Sequence, residues 1–239
     1  MFKAILFDMG DTLITGTRPI EEACELVGKE RPNRAGTLER AAKYFQTLRE
    51  QDLANLTQQT FRQALVLSVM TEEFDRSETD NSLCTTLEEF DELVDAVFDK
   101  TIENTELMPG IKGVLGVLRD DNYDLGIVSN VSFEGVRYRK LLTSFGIASL
   151  FDVMVYSSDV GFRKPHSLPF EKALTALNAP PFDSLHVGDL YHTDVIGAQT
   201  LGIEAVLLDR PGTYVHGDAI LPDWVIRDVR EVLSIVENA

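Results

Sequence analysis

The side chains in this sequence best suited to chemistry fall in short groups, each closing an apolar run or lying just past one. Asp8-Met9-Gly10-Asp11-Thr12 follows Phe2–Phe7, and Ser129-Asn130 ends the run that starts at Asp124. Gly161-Phe162-Arg163-Lys164-Pro165 comes after Val153–Ser157, and Gly188-Asp189 follows Leu185–Val187 with Asp194 close behind. A carboxylate on a rigid strand end is a usable nucleophile toward phosphorus or an alkyl carbon. A second carboxylate beside it would repel it unless a hard divalent cation lay between them, and oxygen ligands with an open position suit Mg²⁺. A Ser hydroxyl and a Lys ammonium are the donors expected for phosphoryl oxygens. Asp189 and Asp194 precede or open an expected helix, where unpaired N–H groups would further favour an anion.

These groups need a scaffold that brings them together, and the hydrophobic pattern supplies one. Phe2–Phe7 reads as a buried strand of parallel type. From Arg18 to about Glu103 every strong signal is helical, with helices expected over Ile20–Lys29, Leu38–Gln51, Leu56–Phe74 and Thr86–Ile102. Breaks fall at Arg31-Pro32-Asn33 and Ser77–Ser82. After Met108-Pro109-Gly110 the pattern turns to strands and helices in alternation. Strands are expected at Asp124–Ser129, Val153–Ser157, Leu185–Val187, Ala205–Leu208 and Trp224–Ile226. Helices are expected at Ile111–Asp120, Gly135–Ser144, Leu168–Leu177 and Thr193–Thr200. Alternation of this kind means a parallel sheet covered on both faces. The fold class is therefore α/β, a doubly wound parallel sheet, interrupted after its first strand by an all-helical insertion. Residues 1–15 and 106–239 form the body, and residues 16–105 the inserted domain. In open sheets of this type, sites lie at the carboxyl ends of the strands, where all the groups above fall.

Composition excludes several classes of function. The 239 residues are 44% hydrophobic and 26% charged, with 16 Gly and 9 Pro, as in an ordinary globular chain. Lys and Arg total 22 against 39 Asp and Glu, a net charge of −17 that repels nucleic-acid backbones and anionic membranes. No nucleic-acid or membrane partner is expected, whereas a small anionic substrate can still be held by a local cluster of donors. Cys24 and Cys84 have no metal-ligand spacing and read as reduced thiols. The early acid Asp8 interrupts any signal-peptide pattern, and no uncharged apolar run approaches a membrane span, so the expected location is the cytoplasm.

On these residues the sequence resembles the haloacid dehalogenase-like hydrolases, whose four motifs are found here in order. Ile5-Leu6-Phe7-Asp8-Met9-Gly10-Asp11-Thr12-Leu13 resembles the first, which implies that Asp8 is the nucleophile. Ile127-Val128-Ser129-Asn130 resembles the second, with Ser129 binding a phosphoryl group and Asn130 beside it in the substrate site. Lys164-Pro165 resembles the third, with Lys164 neutralising charge on nucleophile and phosphoryl. His186-Val187-Gly188-Asp189-Leu190-Tyr191-His192-Thr193-Asp194 resembles the fourth. The resemblance implies a Rossmann-type core whose strand order reverses beside the first strand, and a helical cap of the first kind that selects substrates. It also implies Mg²⁺ held by Asp8, the Gly10 carbonyl and Asp189, with Asp194 supporting them. The implied activity is hydrolysis of a small phosphorylated metabolite through an aspartyl-phosphate on Asp8.

One departure bears on mechanism. The family's phosphatases usually carry a second Asp two residues after the nucleophile, as general acid and base; here that residue is Gly10, and Asp11 follows where Gly is usual. Asp11 is the candidate to replace the acid in part. Two alternatives stand beside the phosphatase reading. One is a haloacid dehalogenase attacking carbon with Asp8, for which the acids of the fourth motif would be superfluous. The other is a non-catalytic binding or regulatory protein. His186 is expected to be a core or edge strand residue, and His166 and His192 to be ordinary polar neighbours of the motifs.

Overall fold

The computed structural model of the protein describes residues 2–73, 87–214 and 220–239. It divides into two compact units, Met1–Thr15 with Glu106–Ala239, and Gly16–Thr105.

The first unit is built on a six-stranded parallel sheet. Its strands are β1 (Ala4–Phe7), β4 (Asp124–Ser129), β5 (Val153–Tyr156), β6 (Ser184–Gly188), β7 (Glu204–Leu208) and β8 (Trp224–Ile226), in the order β5-β4-β1-β6-β7-β8. β2 (Ile14–Thr15) and β3 (Glu106–Leu107) form a separate antiparallel pair. β1 lies between β4 and β6, with Phe7 level with Ile127 on one side and Val187 on the other. The strand order thus reverses at β1, and the chain segments leaving β4 and β6 flank the residues leaving β1. Every residue of β1 and β6 is buried, which explains the unbroken apolar run of β1, while β6 buries Ser184 and His186 among its apolar residues: helices cover both faces of such a sheet. These are α5 (Ile111–Asp120), α6 (Gly135–Ser144), α7 (Ser157–Val160), α8 (Ser167–Leu177), α9 (Ile196–Gln199) and α10 (Glu231–Asn238). One apolar cluster joins Leu6, Val128 and Leu207 of the sheet to Phe170, Leu174 and Leu177 of α8.

Among its described residues the second unit is built on helices: α1 (Ile20–Glu30), α2 (Ala35–Asn55), α3 (Phe61–Glu73) and α4 (Leu87–Ile102). Leu38, Ala41, Phe45 and Leu48 of α2 recur at helical spacing and are buried. Phe45 meets Phe61 of α3 edge to face, with ring centroids 6.0 Å apart. Cys24 is buried on α1, and burial pushes its thiol up to about 12, so it is an unreactive packing residue. Cys84, the expected break at Ser77–Ser82 and the first residue of the expected helix Thr86–Ile102 lie outside the described residues.

Several expected elements shift at their ends, the helix expected over Leu38–Gln51 running Ala35–Asn55 and the strand expected over Phe2–Phe7 running Ala4–Phe7. Three further differences have a visible local cause. The helix expected from Leu56 begins at Phe61, because Leu56 adopts a left-handed φ of 55° that ends α2. The strand expected to end at Ser157 stops at Tyr156, and Ser157 opens α7. The helix expected over Thr193–Thr200 is a wide π turn, Tyr191–Val195, followed by the short α9. Gly146 and Gly202, with φ of 70° and 80°, close α6 and α9 as left-handed caps. Among the described residues no helix is long and apolar enough to cross a membrane.

Candidate active site

The site builds outward from β1. The Asp8 N–H donates to the Val187 carbonyl at 2.9 Å, carrying the ladder one residue past the strand and fixing the Asp8 backbone at the sheet's carboxyl edge. Beyond it the chain turns tightly: the Leu13 and Ile14 N–H groups both donate to the Met9 carbonyl. Asp11 sits in that turn with a left-handed φ of 49°, a conformation Asp tolerates better than most residues.

Lys164 reaches this edge from the loop after α7. Its backbone is gripped at both ends of one residue: its N–H donates to Asn130 Oδ1 at 2.8 Å, and its carbonyl accepts from Asn130 Nδ2 at 3.0 Å. Asn130, expected at the substrate, therefore has its amide engaged in positioning Lys164. The ammonium is buried, 2.7 Å from Asp8 Oδ1 and 2.5 Å from Asp194 Oδ1.

Asp194 is the most fully bonded acid in the group. Its Oδ1 accepts from Lys164 and lies 3.1 Å from His186 Nε2, while its Oδ2 accepts from the Leu190 N–H at 3.0 Å. The π turn swings this carboxylate back against β6, and Gly188 makes room for it. A Cβ on Gly188 would fall 2.3 Å from Asp194 Cγ. His186, on β6, is fully buried, with the Phe170 ring edge-on at 5.0 Å. Its Nδ1 has no hydrogen-bond partner among the described residues. Ser129 is buried at the end of β4, beside Asn130.

The electrostatics follow from one cation shared among several acids. Burial pushes the Asp8 carboxyl up, against the pull of Lys164. Burial also works against the Lys164 charge, yet Asp194 and Asp8 outweigh it and hold that pKa above its usual value. For Asp194 burial opposes ionisation, but Lys164 and His186 prevail and keep the carboxyl well below the usual range. Burial lowers the His186 pKa, which favours the neutral imidazole, with its Nε2 against Asp194 Oδ1. Asp189 is pushed up to about 7 by burial and by the neighbouring charges of Asp8, Asp194 and Asp11.

Asp8, Asp189 and Asp194 each offer an oxygen, all within 4.8 Å of one another. This donor set fits a hard divalent cation: oxygen only, anionic, and under-neutralised by a single lysine. The oxygens of Asp194 are already committed, which leaves Asp8 and Asp189 as the acids able to face an ion directly. Asp11 is exposed, and its Oδ1 accepts from the Thr15 hydroxyl at 3.0 Å.

Of the residues singled out in the sequence, the structure brings Asp8, Lys164, Asp189 and Asp194 together, with Asn130 bracing Lys164. It turns the Asp11 carboxylate toward Thr15. His166 accepts from the Leu168 N–H as the N-terminal cap of α8 and stacks on Phe162 at 4.4 Å. The residue that sequence reasoning undervalued is His186. It is a core strand residue as expected, yet its ring bonds the acid that holds Lys164. An imidazole between Leu185 and Val187 of a central strand was the available signal.

The family model for haloacid dehalogenase-like hydrolases matches residues 2–202. A glyceraldehyde 3-phosphate phosphatase from Methanothermobacter thermautotrophicus is 32% identical over 132 residues, 54% of this chain and 58% of that protein. A pyrophosphatase PpaX from Halalkalibacterium halodurans is 32% identical over 142 residues, 58% of this chain and 62% of that protein. The chain thus spans about three-fifths of the length of these curated relatives. A 2-haloacid dehalogenase from Pseudomonas syringae shares the fold with a TM-score of 0.74 at 21% identity, over 100% of this chain and 99% of that one.

Proposed function

The chain belongs to the haloacid dehalogenase-like hydrolases, and from that premise we propose that it is a Mg²⁺-dependent phosphatase of small phosphorylated metabolites, with Asp8 as nucleophile. The observation that carries this reading is the buried Lys164 ammonium bridging Asp8 and Asp194 beside Asp189. A lone cation leaves this acid cluster under-neutralised, and a divalent ion balances it so that an anionic phosphoryl group can approach Asp8. The relatives named as phosphatases and as a pyrophosphatase support the same class of substrate.

In this mechanism Lys164 holds Asp8 Oδ1, which aims the other carboxylate oxygen at phosphorus. The same ammonium, with the Ser129 hydroxyl, takes charge from the phosphoryl oxygens as the bond to Asp8 forms. Asp8, the Gly10 carbonyl and Asp189 would hold Mg²⁺, and Asp194 would brace them. When bound, the ion supplies positive charge against the phosphoryl oxygens. Asp194, fixed by His186 and the Leu190 N–H, keeps Lys164 charged and in place. Water then releases phosphate from Asp8. We take residues 1–15 and 106–239 as the core, residues 16–105 as its helical cap domain, and the cytoplasm as its place of work.

The test is phosphate release from a panel of small phosphate esters and anhydrides, with Mg²⁺ and with a chelator. Turnover that requires Mg²⁺ and vanishes in Asp8→Asn is expected. Turnover that survives in Asp8→Asn would contradict the reading.

A further inference from the structure

Breaking a phosphate ester leaves charge on an oxygen, and whether a protein must protonate that oxygen depends on its basicity. An alkoxide needs a proton as the bond breaks; a phosphate, carboxylate or nitrophenolate oxygen does not. The site therefore indicates its substrate class by whether it offers a proton at the right place.

Among the described residues of the core unit, the titratable side chains that act on Asp8 and Asp189 are otherwise engaged. Lys164 is held between Asp8 and Asp194. His186 Nε2 lies on Asp194 Oδ1. Asp189 belongs to the acid trio that fits a cation. The Asp11 carboxylate is exposed and accepts from Thr15. The residue in the turn that looks toward the nucleophile is Gly10: a Cβ built there meets nothing nearer than Asp8 Oδ2, at 4.0 Å.

Nothing in the backbone asks for glycine at that position. Gly10 is not among the residues with positive φ, whereas the next residue, Asp11, is. A side chain has room at residue 10 and would face the reacting centre, yet the chain carries none there. The place from which a proton donor could serve the leaving group is open.

We infer that this site acts on phosphoryl groups carried by an oxygen that departs as a stable anion, phosphoanhydrides and acyl phosphates, and disfavours alkyl phosphate esters. The inference rests on the phosphatase reading above and narrows it. In the first step an Asp8 oxygen bonds to phosphorus while the bond from phosphorus to the leaving oxygen breaks. The electron pair stays on that oxygen, which leaves unprotonated. In the second step water attacks phosphorus, Asp8 regains its carboxylate, phosphate departs and the water's proton passes to solvent.

The experiment measures kcat/KM of the full chain with Mg²⁺ for p-nitrophenyl, phenyl and ethyl phosphate, with acetyl phosphate and pyrophosphate to separate acyl phosphates from phosphoanhydrides. The expected result is a fall of more than about a hundredfold from p-nitrophenyl to ethyl phosphate, the lower end of the ~10²–10⁴-fold contribution of a positioned acid. Acetyl phosphate, pyrophosphate or both should be turned over far faster than the ethyl ester. Asp11→Asn should leave the aryl-to-alkyl ratio where it is, and Gly10→Asp should narrow it by speeding the ethyl ester selectively. A parent ratio below a hundredfold, or a ratio that widens in Asp11→Asn, would overturn the inference while leaving the phosphatase reading intact. No Mg²⁺-dependent turnover of any compound would overturn that reading and this inference with it.

Discussion

Replacing Lys164 with Met keeps much of the side chain's bulk and removes its charge, and the structure lets the consequence be worked out. The ammonium is 1% exposed and lies 2.7 Å from Asp8 and 2.5 Å from Asp194. Without it two buried carboxylates face each other, and breaking a buried pair in this way costs about 3–5 kcal/mol. At roughly 2–4 °C per kcal/mol for a chain of this size, the thermal midpoint should fall by roughly 6–20 °C. The pH dependence has a definite sign. Asp194, with its pKa held low, contributes stability that is present above the ordinary carboxylate range and lost as pH falls through the lowered value. Lys164, with its pKa held high, contributes stability that persists until pH rises through the raised value. The gap between parent and variant should therefore be widest from neutral pH upward and narrow as pH falls, because in the variant one of the two facing carboxylates takes up a proton above the ordinary carboxylate range. The assay is thermal unfolding in chelator from acid to alkaline pH, with kcat for p-nitrophenyl phosphate measured alongside; kcat should fall by about 10²–10³-fold. A variant as stable as the parent at neutral pH would refute the charge arrangement on which this reasoning stands.

Other variants probe the rest of the cluster. Asp189→Asn should weaken Mg²⁺ binding by at least about tenfold in calorimetric titration, and unchanged affinity would remove Asp189 from the ligand set. In chelator the same variant should gain stability relative to the parent as pH rises from 5 to 8. Asp189 has its pKa raised to about 7, so its ionised form weakens the fold; a difference that does not move with pH would contradict this. Asn130→Ala removes both hydrogen bonds to the Lys164 backbone, each worth about 0.5–1.5 kcal/mol, and should lower kcat more than it raises KM; an effect on KM alone would return Asn130 to substrate contact. His186→Gln, which keeps a neutral donor, should retain most activity, whereas His186→Leu should lose it while still binding Mg²⁺; equal activity in the two would remove His186 from any positioning role.

Much of this molecule was legible in its residues because strands of a covered parallel sheet read as short apolar runs, and functional groups sit where those runs end. Asp8, Ser129 and Asp189 could be placed on one rim by that logic alone. The helical unit was harder. The break between α2 and α3 hides in a stretch rich in helix formers, yet Thr60 and Gln63 form a reciprocal capping box. The Thr60 N–H donates to Gln63 Oε1 at 2.6 Å, and the Gln63 N–H reaches Thr60 Oγ1 at 3.4 Å. That spacing was readable and outweighs the helix propensity of Leu56–Thr60. The pair β2 and β3 was invisible, since two residues carry no periodicity. The clasp of Asn130 on Lys164 and the contact of His186 with Asp194 are tertiary facts, set by how strands align and by a π turn that no residue pattern announces.

The central claim is that Asp8 becomes covalently phosphorylated, and one measurement meets it directly. The protein is mixed with Mg²⁺ and p-nitrophenyl phosphate, quenched in acid during turnover, and mapped by peptide mass spectrometry. One phosphoryl group is expected on Asp8, absent when Asp8→Asn is treated in the same way. A phosphoryl group on a different residue, or unmodified Asp8 in protein quenched while p-nitrophenolate is still being released, would contradict it.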